Sequence, residues 1–215
     1  MSPSSFWRPS ATWATEIFDW APRIYGLDRT AGGFMPDIPK DRRSIVAILG
    51  GKSASPPVLE AATAVGEGLV DAGFRIATGG LNGVMAAASR GGRQAQGWQE
   101  GRVLGILPSL DAMTANPWVD VAIPTGLSHA RNVVLVAMAD VVVAIGGGAG
   151  TLSEIALAWQ HGKTVIGLDL GEGWSARLAG TRIDDRRSDL IHRAENPDEV
   201  VRLAICFGGH PVNRS

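Results

Sequence analysis

From Ser44 onward, short β-branched runs alternate with longer stretches of helical periodicity, which predicts an α/β protein: a Rossmann-like, doubly wound parallel sheet with helices on both faces. Two further observations agree. At 215 residues, 45% apolar and 19% charged, the chain can fill one well-buried core and is short for two full domains. Its glycine-rich turns also fall where strand candidates give way to helix candidates, the edge at which open parallel sheets hold their ligands.

The elements follow in order. Residues 1–43 stand apart as an N-terminal arm, rich in Trp (Trp7, Trp13, Trp20) and broken by Pro3, Pro9, Pro22, Pro36 and Pro39. Trp13, Ile17 and Trp20 share one face of a short helix there, which suits an arm packing over apolar surface, a lid, or a contact surface for a larger system. Residues 44–215 form the Rossmann-like domain. Strands are expected at Ile45–Leu49, Phe74–Ala77, Val103–Ile106, Val119–Ile123, Val141–Ile145 and Val165–Leu168, because each is a short apolar run bounded by turn residues. Helices are expected near Pro57–Ala72, Val84–Gln96, Leu127–Ala139 and Thr151–His161. A last helix opens at Asn196, with Asn as cap and Pro197 in the first turn, and runs to about Cys206.

Composition excludes several functions. The formal net charge is -1 and the 20 basic residues form no long run, so no nucleic acid polymer is expected as partner. One cysteine and four scattered histidines give neither an internal disulfide nor a metal-ligand spacing, so no bound metal is expected. The longest apolar run, Val133–Ala139, stops at Asp140, far short of a membrane span. Trp7, Arg8 and Pro9 interrupt any signal-like segment, and a cytoplasmic location is expected.

The chemistry therefore rests with the turns. Gly50-Gly51-Lys52-Ser53 resembles the end of a P-loop, but Val46 stands where that motif needs glycine. No carboxylate follows Ala77, where a dinucleotide fold keeps one for the ribose. Thr78-Gly79-Gly80 opens a second turn with three glycines in five residues, which suggests close approach of backbone to a ligand or simply a tight turn. The third turn, Gly147-Gly148-Ala149-Gly150-Thr151, joins the strand Val141–Ile145 to a helix. Unpaired N–H groups and the helix dipole make such a turn an anion site.

Thr151-x-x-Glu154 has the spacing of a capping box, and it also sets a carboxylate beside the glycine turn. Arg131 begins a stretch, Arg131–Ala139, that is apolar nearly all round. Such a helix needs cover on two sides, so a homodimer is predicted. The Arg131 guanidinium suits bidentate phosphate binding or pairing with a carboxylate; His129 reads as a loop or cap residue.

Gly147-Gly148-Ala149-Gly150-Thr151-Leu152-Ser153-Glu154, with Arg131 upstream and Thr78-Gly79-Gly80 earlier, resembles the Lonely Guy (SLOG) superfamily over about residues 44–206. These Rossmann-like proteins, often labelled lysine decarboxylases, carry P-G-G-x-G-T-x-x-E and an upstream arginine. The resemblance implies hydrolysis of the N-glycosidic bond of a nucleoside 5'-monophosphate, with no cofactor required. On that reading Arg131 and Glu154 are catalytic. Gly147–Thr151 bind the phosphate, with Gly50, Gly51, Thr78, Gly79 and Gly80 as further ligand-binding residues. A carboxylate beside the sugar can stabilise an oxocarbenium-like transition state.

Two departures favour a different branch. Gly146 replaces the motif's proline, and Asn132 the lysine that usually follows its arginine. Thr125-Gly126-Leu127, Ala130-Arg131 and Glu154-Ile155-Ala156-Leu157-Ala158 look more like the molybdenum cofactor carriers of the same superfamily, which bind a phosphorylated pterin without cleaving it. The alternative is therefore a carrier for molybdenum cofactor. Pyridoxal phosphate chemistry is excluded because Lys40, Lys52 and Lys163 are the only lysines and none suits a Schiff base.

Overall fold

The computed structural model describes residues 43–209. The arm expected over residues 1–43 thus lies, apart from Arg43, outside the described residues.

Among the described residues, seven strands form one sheet: β1 (Ile45–Gly50), β2 (Arg75–Thr78), β3 (Val103–Leu107), β4 (Val121–Pro124), β5 (Val141–Ile145), β6 (Thr164–Leu168) and β7 (His192–Ala194). Their order is β4-β3-β2-β1-β5-β6-β7, with every neighbouring pair parallel. Among the described residues, five α-helices lie between strands, α1 (Pro56–Asp71), α2 (Val84–Gln94), α3 (Arg131–Met138), α4 (Ala149–Gln160) and α5 (Gly173–Leu178), and a sixth, α6 (Pro197–Gly208), follows β7. One face of the sheet carries α1, α2 and α6, which pack on one another; the other carries α3, α4 and α5. The expected doubly wound α/β fold is what forms.

Central β5 is buried from Val141 to Ile145, which is why it reads as an unbroken apolar run rather than an alternating one. Asp140, where the preceding apolar run stops, accepts the Ile45 N–H at 2.8 Å and fixes the start of β1 beside β5. The core on the α3–α4 face joins Ala47, Leu49, Val142 and Ala144 to Leu135, Val136, Ile155 and Trp159. On the other face α1 and α2 cross so closely that a Cβ on Gly66 or Gly91 would overlap the facing carbonyls of Ala88 and Thr63.

Several boundaries differ from expectation. Residues 127–139 do not form one helix: a 3-10 turn at Ser128–Ala130, with Ser128 at φ 49°, precedes α3. Residues 119–120 stay outside β4, where Val119 donates its N–H to the Asn116 carbonyl in a turn. α2 ends at Gln94 rather than Gln96. Outside the sequence expectations lie α5, the three-residue strand β7 and a 3-10 turn at Ala112–Thr114. Asn196 caps α6 as expected, accepting the Glu199 N–H at 3.0 Å.

The helix expected to lack a solvated face does lack one in composition, yet only part of it is covered. Leu135 and Val136 are buried, whereas Val133 and Val134 are 40% and 38% exposed. No described helix is long and apolar enough to cross a membrane, and the described residues hold no cluster of three metal-ligating side chains.

Candidate functional site

The winding direction switches between β1 and β5, adjacent strands whose connections leave toward opposite edges of the sheet. At their carboxyl ends lies a cavity of about 370 Å³, within the size range of small-molecule pockets. One wall is the β1–α1 loop, Gly50 to Ser53; the opposite wall is the start of α4, with Gly148, Gly150 and Thr151. Arg131 and Asn132 from α3, Glu154 from α4, Met85 from α2 and His129 complete the lining.

The α4 wall departs from its sequence reading in an informative way. The helix begins at Ala149, with Gly148 as the N-cap residue and no side-chain cap. The expected capping box therefore does not form: Thr151 is the third helical residue, and Glu154 lies in the second turn rather than the first. The cause is the pair Gly146 and Gly147, at φ +58° and +87°, which turns the chain sharply enough for the helix to start two residues early. Thr151 packs its side chain against Gly147 instead. Ala149, Gly150 and Thr151 consequently keep N–H groups with no acceptor among the described residues. Three convergent amides at a helix N-terminus favour an anion.

Freed from capping, Glu154 meets Arg131. The Arg131 Nη1 donates to Glu154 Oε1 at 3.1 Å, and both residues are buried, 9% and 6% exposed. Burial pushes the Glu154 carboxyl above the usual carboxylate range; the charge and hydrogen bond of Arg131 pull the other way without cancelling it. Next to the pair, Asn132 Nδ2 donates to Ser153 Oγ at 3.4 Å, and that hydroxyl donates to the Gly150 carbonyl at 2.7 Å.

Of the residues singled out in the sequence, Gly50, Gly51, Arg131, Gly148, Gly150, Thr151 and Glu154 come together around this cavity. Gly147 and Ala149 belong to the same turn but not to the wall. Thr78, Gly79 and Gly80 sit behind it. Thr78 is fully buried and its hydroxyl accepts the Gly80 N–H at 3.0 Å, closing that turn on itself. Gly79 lies against the Arg131 guanidinium, where a Cβ would overlap it. Lys52, Ser53, Met85, His129 and Asn132 are additions to the wall. The Gly-Gly-Lys-Ser tetrapeptide is the sequence signal for the first two, although it lacks the glycine that completes a P-loop pattern.

Comparison with known proteins gives consistent relatives. A protein of Archaeoglobus fulgidus is 36% identical over 123 residues, 57% of this chain and 78% of that one. The structure of the molybdenum cofactor binding protein from the phototrophic bacterium Rippkaea orientalis is similar at 37% identity and a TM-score of 0.67, covering 77% of this chain and 97% of that one. The molybdenum cofactor carrier protein of Chlamydomonas reinhardtii follows at 28% identity and a TM-score of 0.65, with 77% and 98% covered. The match of residues 43–201 to the family as a whole includes both walls of the cavity and the Arg131–Glu154 pair, and on it the chain belongs to the SLOG cluster4 family.

Proposed function

We propose that this protein binds a phosphorylated nucleotide- or pterin-type small molecule in the cavity between β1 and β5, and that its function is to hold such a ligand as a carrier of the molybdenum cofactor type. The observation that supports it is the uncapped start of α4: the N–H groups of Ala149, Gly150 and Thr151 have no acceptor among the described residues, and Gly150 and Thr151 line a cavity also lined by Lys52 and Arg131. A phosphate would take those amides, and Lys52 and Arg131 would add cationic donors for the rest of the ligand. The names of the two structural relatives at 37% and 28% identity favour a pterin as cargo. Gly146 and Asn132, in place of the proline and lysine of the hydrolytic motif, favour it too.

The second reading is hydrolysis of nucleoside 5'-monophosphates with Arg131 and Glu154 as catalytic residues. The single cavity that brings the pair together favours it. Against it, Glu154 is tied to Arg131 and its ionisation is resisted by burial, so it is ill-placed to meet a developing positive charge on a sugar. The exposed valines of α3 favour self-association as a homodimer on either reading.

Mass spectrometry of the small molecule released when purified protein is denatured separates the two. A phosphorylated pterin supports the carrier, and incubation with AMP should then release no more free adenine than the Glu154→Ala variant does. Base release well above that variant would establish hydrolysis instead. A protein that neither copurifies with nor protects molybdopterin would end the carrier reading.

A further inference from the structure

The three open amides follow a turn whose shape is set from outside its own segment. Gly146 donates its N–H to Ser175 Oγ at 2.7 Å, and its carbonyl accepts the Ser175 N–H at 3.1 Å. The Gly147 carbonyl accepts the Trp174 N–H at 3.0 Å. Ser175 is fully buried, and its hydroxyl donates to the Leu168 carbonyl at the end of β6, at 2.8 Å. That bond fixes where the hydroxyl proton points, so the oxygen's lone pairs are left to face Gly146. Gly173, one residue before Trp174, is packed so tightly on Gly146 that a Cβ would overlap its backbone.

The same helix start reaches the opposite wall. Glu172, the N-cap residue of α5, accepts the hydroxyl proton of Ser55 at 2.8 Å. Ser55 is the N-cap residue of α1, and it ends the loop that carries Lys52 and Ser53. Four consecutive residues, Glu172 and the first three of α5, thus hold both sides of the cavity.

We infer that residues 172–175 are a bracket that sets the spacing and aim of the two ligand-facing walls, with Ser175 as the positioning residue for the amides of Ala149, Gly150 and Thr151. The bracket touches no ligand. It acts by keeping the Gly146–Gly147 turn in the one conformation that starts α4 early and leaves those amides uncapped. Preorganised donors bind an anion more tightly than donors that must be ordered first. The inference rests on the phosphate-binding reading above, and part of its test does not need a ligand.

The test uses the full chain and its Ser175→Ala variant, with amide nitrogen–proton correlation spectra titrated with inorganic phosphate, and amide hydrogen exchange in the ligand-free state. In the unmutated protein, phosphate should shift the Gly148, Gly150 and Thr151 signals. In Ser175→Ala the phosphate affinity should fall by about tenfold or more. Amide exchange should quicken at residues 146–151 while the amides of α6 keep their protection. Unchanged affinity and unchanged exchange would overturn the bracket, as would faster exchange spread evenly over the sheet and α6, which marks a purely structural serine. If phosphate shifts nothing in the unmutated protein, the binding reading fails and the exchange comparison alone decides the bracket. Should Ser175→Ala not fold, Glu172→Ala, a change at an exposed side chain, takes its place. Phosphate binding weakened severalfold, with displaced Lys52 and Ser53 signals, supports the bracket, and no change in either overturns it.

Discussion

Arg131 and Glu154 are unequal partners. A carboxylate in a closing site can shed its charge by taking a proton, and a guanidinium cannot. Glu154→Ala therefore strands a buried cation and should cost about 3 kcal/mol, whereas Arg131→Ala should cost less because Glu154 can neutralise itself. The pH dependence has a definite sign. The folded pKa of Glu154 is raised, so its contribution is present below the unfolded value and lost as pH rises through the folded one. Removing Arg131 takes away the opposing pull and lifts that folded pKa further. Urea unfolding should show the deficit of Arg131→Ala growing from about pH 5 to about pH 8; a deficit flat with pH would contradict the assignment. Gly79→Ala makes the complementary point. The atoms nearest its Cβ are the far end of Arg131 and the Met85 sulfur, both able to move, so stability should drop by about 1 kcal/mol or less. The displaced guanidinium should nonetheless reduce ligand retention by about tenfold, read as the amount of small molecule copurifying per mole of protein.

At the scale of elements, the close crossing of α1 and α2 inverts an ordinary expectation. Alanine in place of a mid-helix glycine usually stabilises by about 0.5–1 kcal/mol. Here Gly66→Ala and Gly91→Ala drive a methyl group into facing backbone, and each should destabilise by about 2 kcal/mol in chemical unfolding. The elements also show which parts of the fold sequence alone could convey. Six strands and the long helices carry their own periodicity, and they were legible to within a few residues. β7 is His-Arg-Ala, with one buried apolar side chain and no pattern to find, and it forms because β6 offers an edge to pair with. α5 spans six residues, under two turns, and its place is set by contacts with the Gly146–Gly147 turn rather than by propensity. Thr151 and Glu154, three residues apart, fit a cap and a helix interior alike; only the early start of α4 decides between them. For the same reason Lys52 and His129 gave little sign of their position, which depends on which loops the strand order brings together.

For the whole molecule, the strand order explains why the readable motif was enough to find the cavity. Gly148 and Arg131, 17 positions apart in sequence, meet wherever β5 stands at the switch of a doubly wound sheet, and the fold class supplied that condition. The molecule's surface carries a further expectation. Leu127, Val133 and Val134 are exposed on the segment that supplies Arg131. If a second copy covers them, the double substitution Val133→Lys and Val134→Lys should convert a dimer to a monomer in light scattering while leaving the circular dichroism spectrum of the fold unchanged. A monomeric unmutated protein would refute homodimerisation directly.

The sheet's left half, β1 to β4, furnishes Lys52 and Met85, and its right half, β5 to β7, furnishes the glycine turn and Glu154. A guest lodged between them would act as a rivet through the seam. Its occupancy would lend the whole chain resistance to unfolding in proportion to the logarithm of its concentration, and the empty form would be the one that proteases find first.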